Sequence, residues 1–188
     1  GGRRPAEAVG PAGGAVGGGR AKAPYGGEVA GPTATGGGKL GIKSSTLVDA
    51  DGLPLGVVSA PANRHDSPLL APTLDLLKNL GPLPETICVH LDAGYDSGIT
   101  RTLLAERGLQ GVIAHKGLPA PIQATKRWPV ERTHAWHNNF YKLARCTEHR
   151  QIVADFYIAL ANTVVLVRRL LPRAWILYRW DTRPSRRP

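Results

Sequence analysis

Ile87-Cys88-Val89-His90-Leu91-Asp92-Ala93-Gly94-Tyr95-Asp96 reads as a short buried strand that runs out onto an acid. Ile87 to Leu91 is apolar enough to be covered, and the small pair Ala93-Gly94 lets the chain turn directly after it. Asp96-Ser97 then starts a helix that carries Leu103 and Leu104 and stops at Gly108, and Leu109 to His115 forms the next strand. Upstream, Lys43 to Val48 and Leu55 to Ser59 flank the turn Asp49-Ala50-Asp51-Gly52, a hairpin signal. Asp66-Ser67-Pro68 opens a helix through Leu69, Leu70, Leu74 and Leu77, with Asp66 as the capping side chain. Strands alternating with helices after an initial hairpin define an α/β domain.

Asp92 stands at the carboxyl end of its strand, where ligands gather in open α/β sheets. An ordinary loop aspartate making a turn hydrogen bond satisfies the same pattern. A second acid lies in Arg127-Trp128-Pro129-Val130-Glu131-Arg132-Thr133-His134-Ala135-Trp136. Pro129 is expected to begin a helix with Glu131 in its first turn and Trp136, Phe140, Leu143 and Ala144 on its apolar face. An acid so placed complements the helix dipole. The flanking Lys126, Arg127 and Arg132 would also draw a phosphate-bearing substrate to that helix end. Asp92 and Glu131 are therefore the candidate catalytic and metal-binding pair. Hard carboxylate oxygens suit Mg²⁺, and two such ions can activate an attacking oxygen and stabilise a leaving one. His134 and His137 lie three apart, but no third soft ligand is placed to make a zinc site; DNA contact or packing beside Trp136 is expected instead.

Charge is unevenly spread. Residues 120–188 hold 13 Lys/Arg against 4 Asp/Glu, which accounts for most of the net +10. Such a field attracts polyanions, because each neutralised phosphate releases condensed counterions. The bland alternative is a solvated surface. Cys88 and Cys146 have no CxxC spacing and read as buried thiols in a reducing cytoplasm. The sequence contains no Met and begins with Gly, so a native start is expected to be missing. It shows no secretory signal. The longest apolar run, 156–167, falls short of the about 20 residues a bilayer needs and reads as a buried helix within Ile152 to Leu171.

The domain boundaries follow from composition. Residues 1–38 hold 14 of the 23 glycines and almost no large apolar residue, so they are expected to be largely disordered. Gly17-Gly18-Gly19 and Gly36-Gly37-Gly38 are not phosphate loops, having no GK[ST] sequel. Residues 39–171 form the folded domain, and 172–188 a basic, aromatic tail.

From about Ala21 to Pro184 the chain resembles the catalytic region of bacterial insertion-sequence transposases of the DDE superfamily. The resemblance rests on Lys22-Ala23-Pro24 with Gly26-Gly27-Glu28, on Val48 to Gly56, on Ala62-Asn63-Arg64-His65-Asp66-Ser67, on Leu91 to Asp96, on Arg127 to Arg132, and on Tyr178-Arg179-Trp180-Asp181-Thr182-Arg183-Pro184. Each motif alone is weak; their order and spacing are specific. The resemblance implies an RNase H-like mixed sheet flanked by helices. It implies Mg²⁺-dependent cleavage at the ends of a mobile element and joining of the freed 3′-OH to target DNA. Asp92 matches the second acid, Glu131 the third, and Arg127 the basic residue before it, which holds DNA phosphate. Lys142 and Arg145 join Lys126, Arg127 and Arg132 as expected DNA contacts. The implied partner is double-stranded DNA in the bacterial cytoplasm, at the nucleoid, with homo-oligomerisation possible and no membrane involved.

Two departures stand out. The first acid, normally about five residues before Lys-Ala-Pro, falls on Gly17, and the Asp-Arg-Gly-Lys before the hairpin is Gly36-Gly37-Gly38-Lys39. The family's N-terminal end-recognition region is also expected to be missing. A degenerate transposase is the leading expectation. Its rivals are a non-catalytic, basic DNA-binding remnant and a misfolded product whose glycine-rich start cannot complete a sheet.

Overall fold

The computed structural model describes residues 12–33, 37–115 and 123–177. Its centre is a mixed sheet of β1 (Ala12–Lys22), β2 (Gly31–Pro32), β3 (Leu40–Asp49), β4 (Pro54–Pro61), β5 (Ile87–Leu91) and β6 (Gln110–Ile113). The order is β2-β3-β1-β5-β6, with β4 also on β3. β1, β3 and β4 run antiparallel, whereas β1, β5 and β6 are parallel. Helices α1 (Ser67–Asp75), α2 (Gly98–Glu106), α3 (Gln123–His137), α4 (Tyr141–Ala144) and α5 (Gln151–Leu177) flank it, giving the mixed α/β architecture expected of an RNase H-like domain.

The hairpin forms where its turn residues require it. The Asp49 carboxylate accepts from the amides of Asp51 and Leu53, and Gly52 takes the left-handed φ of 78° that closes the turn. On one face of the sheet, Val16, Leu47, Val89 and Leu91 pack against Leu70, Leu74 and Leu77 of the α1 segment and Leu104 of α2. Each such side chain contributes ~1.5–3 kcal/mol through burial. On the other face, Val130 of α3 closes over Ala15 and Val48, and Ala154 of α5 packs with Ile42 and Cys146.

Four expectations need correction. Ala12–Lys22, assigned to a disordered start, is the innermost strand, paired to β3 along one edge and to β5 along the other. Its apolar cover comes from its neighbours rather than from its own side chains. This also removes the physical premise of an incomplete, misfolded sheet. Second, α3 begins at Gln123, with Pro129 inside it. The helix ends at His137, and Phe140 precedes the separate α4, so Trp136, Phe140, Leu143 and Ala144 do not share one helix. Third, Asp66 makes no capping hydrogen bond and instead pairs with Lys43 at 3.1 Å; at the start of α2 it is the Ser97 side chain that makes the capping bond. Fourth, the apolar run 156–167 is covered on one side only: Ala161 and Val165 are buried, while Phe156, Leu160 and Val167 are exposed. Residues 151–172 of α5 are long and apolar enough, by length and composition alone, to cross a membrane. The tail motif beginning at Tyr178 lies outside the described residues.

Candidate active site

β1 and β5 are in parallel register with Ala15 level with His90. Carried two residues further along both strands, that register sets Gly17 beside Asp92. Odd-numbered positions of β1 face α3, because side chains alternate along a strand. A Cβ added at Gly17 would stand 2.8 Å from Val130 Cγ1, and one at Gly19 would stand 2.9 Å from His134 Nε2. Glu131 follows Val130 on the same helix. The three positions singled out by the resemblance thus fall on elements in mutual contact, one of them without a side chain.

Asp92 itself makes the turn hydrogen bond that the plainer reading offered. Its Oδ1 accepts from the Gly94 amide at 2.6 Å and caps the 3₁₀ turn Ala93–Tyr95. That bond fixes the carboxylate at the strand end. Glu131 is exposed, and because α3 starts at Gln123 it does not lie in the first turn. The helix dipole therefore does not account for it, since that effect fades within one turn. α3 is held down by the buried Thr133, whose hydroxyl donates to the Gly52 carbonyl; that oxygen also lies 3.0 Å from the Pro129 carbonyl.

The basic residues divide. Arg132 donates to the Asp51 carbonyl at 3.3 Å and so braces the hairpin turn. Lys142 pairs with Glu148, bonds Thr147 Oγ1 at 3.0 Å and lies 5.3 Å over the Tyr157 ring. The Glu148 hydrogen bond raises the Lys142 pKa and lowers that of its partner. Arg145 is exposed, its backbone bridging to Lys22. The side chains of Lys126 and Arg127 lie outside the described residues.

His134 and His137 make their contacts inside the protein. His134 Nε2 lies 3.1 Å from Thr46 Oγ1, and His137 Nε2 lies 2.7 Å from Asn162 Oδ1. They tie α3 to β3 and to α5. Burial, with a smaller contribution from neighbouring His137, pushes His134 down to about 4. Burial also lowers His137, opposed by its Asn162 bond. Both line a cavity of about 110 Å³ with Gly19, Ser44 and Cys146.

The sequence reading missed a polar cluster on the opposite face of β1. Lys43 is 3% exposed and pairs with Asp66, whose Oδ1 lies 2.6 Å from where a Gly18 Cβ would be. Burial, followed by the charges of Asp66 and Asp92, raises the Tyr95 hydroxyl well above its usual value. The available signal was alternation: Lys43 shares the inward phase of Ser45 and Leu47.

Comparison with known proteins accords with this geometry. The Transposase DDE domain family matches residues 17–120, more than half of the chain. The chain belongs to that family. It is 33% identical over 141 residues to a Burkholderia cepacia protein assigned as transposase for insertion sequence element IS402, covering 72% of this chain and 67% of that one. It is also 33% identical over 107 residues to the transposase for insertion sequence element IS1106 of Neisseria meningitidis serogroup B, covering 57% of this chain and 33% of the relative. The family match opens at Gly17, includes Asp92 and closes before Glu131.

DDE transposases generally use divalent metal ions. The residues present do not fit a complete two-ion centre. Gly17 offers no ligand, and among the described residues no group of three or more His, Cys, Asp or Glu converges to hold an ion.

Proposed function

We propose that this chain is a degenerate DNA transposase domain, derived from an enzyme that cleaves the ends of an insertion sequence and transfers the strand to target DNA. Asp92 and Glu131 are the surviving catalytic acids and the surviving oxygen donors for Mg²⁺, and Gly17 marks the lost one. What supports the reading is the parallel pairing of Ala15 with His90, a register that continued by two residues would set Gly17 level with Asp92, together with the approach of position 17 to Val130, the neighbour of Glu131 on α3. A two-ion centre would need a third charged donor beside Asp92 and Glu131, and glycine at position 17 supplies none, so turnover should be low.

DNA is held by the basic C-terminal third, with Lys126, Arg127 and Arg145 as the main contacts. Arg132 and Lys142 contribute what their bonds within the protein leave available. The domain works in the bacterial cytoplasm at the nucleoid. Non-specific affinity for duplex DNA then falls steeply with salt; an affinity unchanged between low and high salt would remove the phosphate-contact reading.

A second reading is a non-catalytic DNA-binding remnant. What favours it is Val130, whose methyl group occupies the space a side chain at position 17 would need. Nicking of supercoiled plasmid in Mg²⁺ or Mn²⁺ separates the two. Nicking that requires Glu131, is lost in Glu131→Ala and increases in Gly17→Asp combined with Val130→Ala supports the degenerate enzyme. Intact DNA binding in chelator with no nicking by any version supports the remnant.

A further inference from the structure

β5 sets a thiol beside an imidazole. Val89 and Leu91 are buried in the cluster that holds Leu70 and Leu74 of α1. Side chains alternate along a strand, so Cys88 and His90 point to the other side of the sheet. There Ala15, level with His90, packs under Val130. Cys146 is buried as the sequence suggested, whereas Cys88 is only half-buried, as is His90. Cys88 Sγ lies 3.9 Å from His90 Nε2. Gly13 stands level with Cys88 on β1. A Cβ added there would meet nothing nearer than Ala50 Cβ, at 3.9 Å, among the described residues.

We propose that Cys88 and His90 form a binding site for a borderline-soft divalent cation, Zn²⁺, distinct from the carboxylates of Asp92 and Glu131. Zn–S bonds of about 2.3 Å and Zn–N bonds of about 2.0–2.1 Å, at a tetrahedral angle, put two such donors roughly 3.6 Å apart. The observed pair needs only a slight closure to reach that separation. The thiol proton passes to solvent as the sulfur–metal bond forms, and His90 supplies the lone pair of an unprotonated Nε2. Among the described residues no third His, Cys, Asp or Glu joins the pair, so water fills the remaining positions over Gly13. Two protein donors make an exchangeable site, since structural zinc is closed by four.

Donor softness selects the ion. Thiolate and imidazole favour Zn²⁺, whereas carboxylates favour Mg²⁺. His90 and Asp92 are two residues apart, about 7 Å along the chain, so the two kinds of ion address different atoms. The inference does not depend on the chemistry proposed for Asp92 and Glu131. A weak thiol hydrogen bond to the imidazole accounts for the same approach without an ion, and it is the outcome the test must exclude.

Co²⁺ titration of the full chain, followed by displacement with Zn²⁺, provides that test. Co²⁺ held by a thiolate gives an intense sulfur-to-metal charge-transfer absorption that oxygen and nitrogen donors do not. That absorption is expected, removed by Zn²⁺ and unaffected by about a 100-fold excess of Mg²⁺. Cys88→Ser abolishes it. His90→Ala weakens Co²⁺ binding by more than about tenfold, the scale on which even outer partners of a metal site act. Cys146→Ser, which alters the thiol lining the cavity of His134 and His137, leaves both absorption and affinity unchanged. Circular dichroism verifies that each variant retains its thermal transition. No charge-transfer absorption up to about 1 mM Co²⁺ would overturn the proposal and leave the hydrogen bond alone. An absorption that survives Cys88→Ser or disappears in Cys146→Ser would also overturn it, as would unchanged affinity in His90→Ala or displacement by Mg²⁺.

Discussion

Acidification should loosen α3 before it affects the surface ion pairs, and His134 sets the window. Its folded-state pKa of about 4 lies below the unfolded value of 6.5 because burial disfavours the charged ring. A base depressed in the folded state binds its proton more readily when unfolded. Its neutral form therefore stabilises the fold above pH 6.5, and that stability is lost as pH falls from 6.5 toward 4. A shift of this size corresponds to ~3 kcal/mol, lost at about 1.4 kcal/mol per pH unit inside the window. A domain of this kind is stable by only ~5–15 kcal/mol, so the loss is large. His137, shifted in the same direction by burial, steepens the slope. Asp75 and Glu148, whose pKa values are lowered from 3.8 and 4.5 by hydrogen bonds to Lys78 and Lys142, lose their stabilisation only below those values. The interval between pH 4.5 and 6.5 therefore isolates the histidines.

Urea unfolding midpoints at closely spaced pH values measure the slope, and His134→Gln, which keeps a polar partner for Thr46, should flatten it. An unchanged slope in His134→Gln, or an NMR titration placing His134 near 6.5, would refute the reasoning. The same protonation should raise amide exchange along α3 ahead of β1, because the charged ring must leave its site between the helix and β3.

The other expectations are structural. Thr133→Val should cost ~1–2 kcal/mol by urea unfolding, because the Gly52 carbonyl loses its donor beneath α3. Asp66→Asn should cost ~1–3 kcal/mol, discounted because the carboxylate is 42% exposed, by stranding the buried Lys43 ammonium. Lys43→Met with Asp66→Leu should be close to neutral in the same assay, since neither charge is then left unpaired. Gly17→Asp and Val130→Ala should each destabilise, yet their combination should recover ~1 kcal/mol or more of the summed loss, because the alanine vacates the space the aspartate needs.

How far the sequence was legible depended on whether the information was local. The β3–β4 hairpin was readable because Asp49 and Gly52 encode their turn within four residues. β5 and the acid after it were readable because an apolar run ending at Ala-Gly admits few alternatives. β1 was not, since a strand of glycines carries no alternation to read; its place is fixed by β3 and β5, which lie far along the chain. Asp66 looked like a cap for the same reason. Its partner Lys43 sits on another element, and local pattern does not report pairing across 23 positions. Helical periodicity likewise identified α5 but not which flank is covered, because an apolar residue reads alike on either side.

On the degenerate-transposase reading proposed above, the glycine tract accounts for a fold kept without the first acid. β1 contributes to the sheet chiefly through backbone hydrogen bonds on both edges, which glycine supplies as well as any residue, at an entropic cost of ~0.5–1 kcal/mol each. The missing side chains leave room that neighbouring elements have taken: Val130 and His134 close on one face and Asp66 on the other. Packing of that kind raises the barrier to reversal. A carboxylate introduced at position 17 has to displace a Val130 methyl group standing 2.8 Å from its Cβ before it can turn toward Asp92. On that reading, activity should appear only when helix and strand change together, and the coupling between positions 17 and 130 tests it.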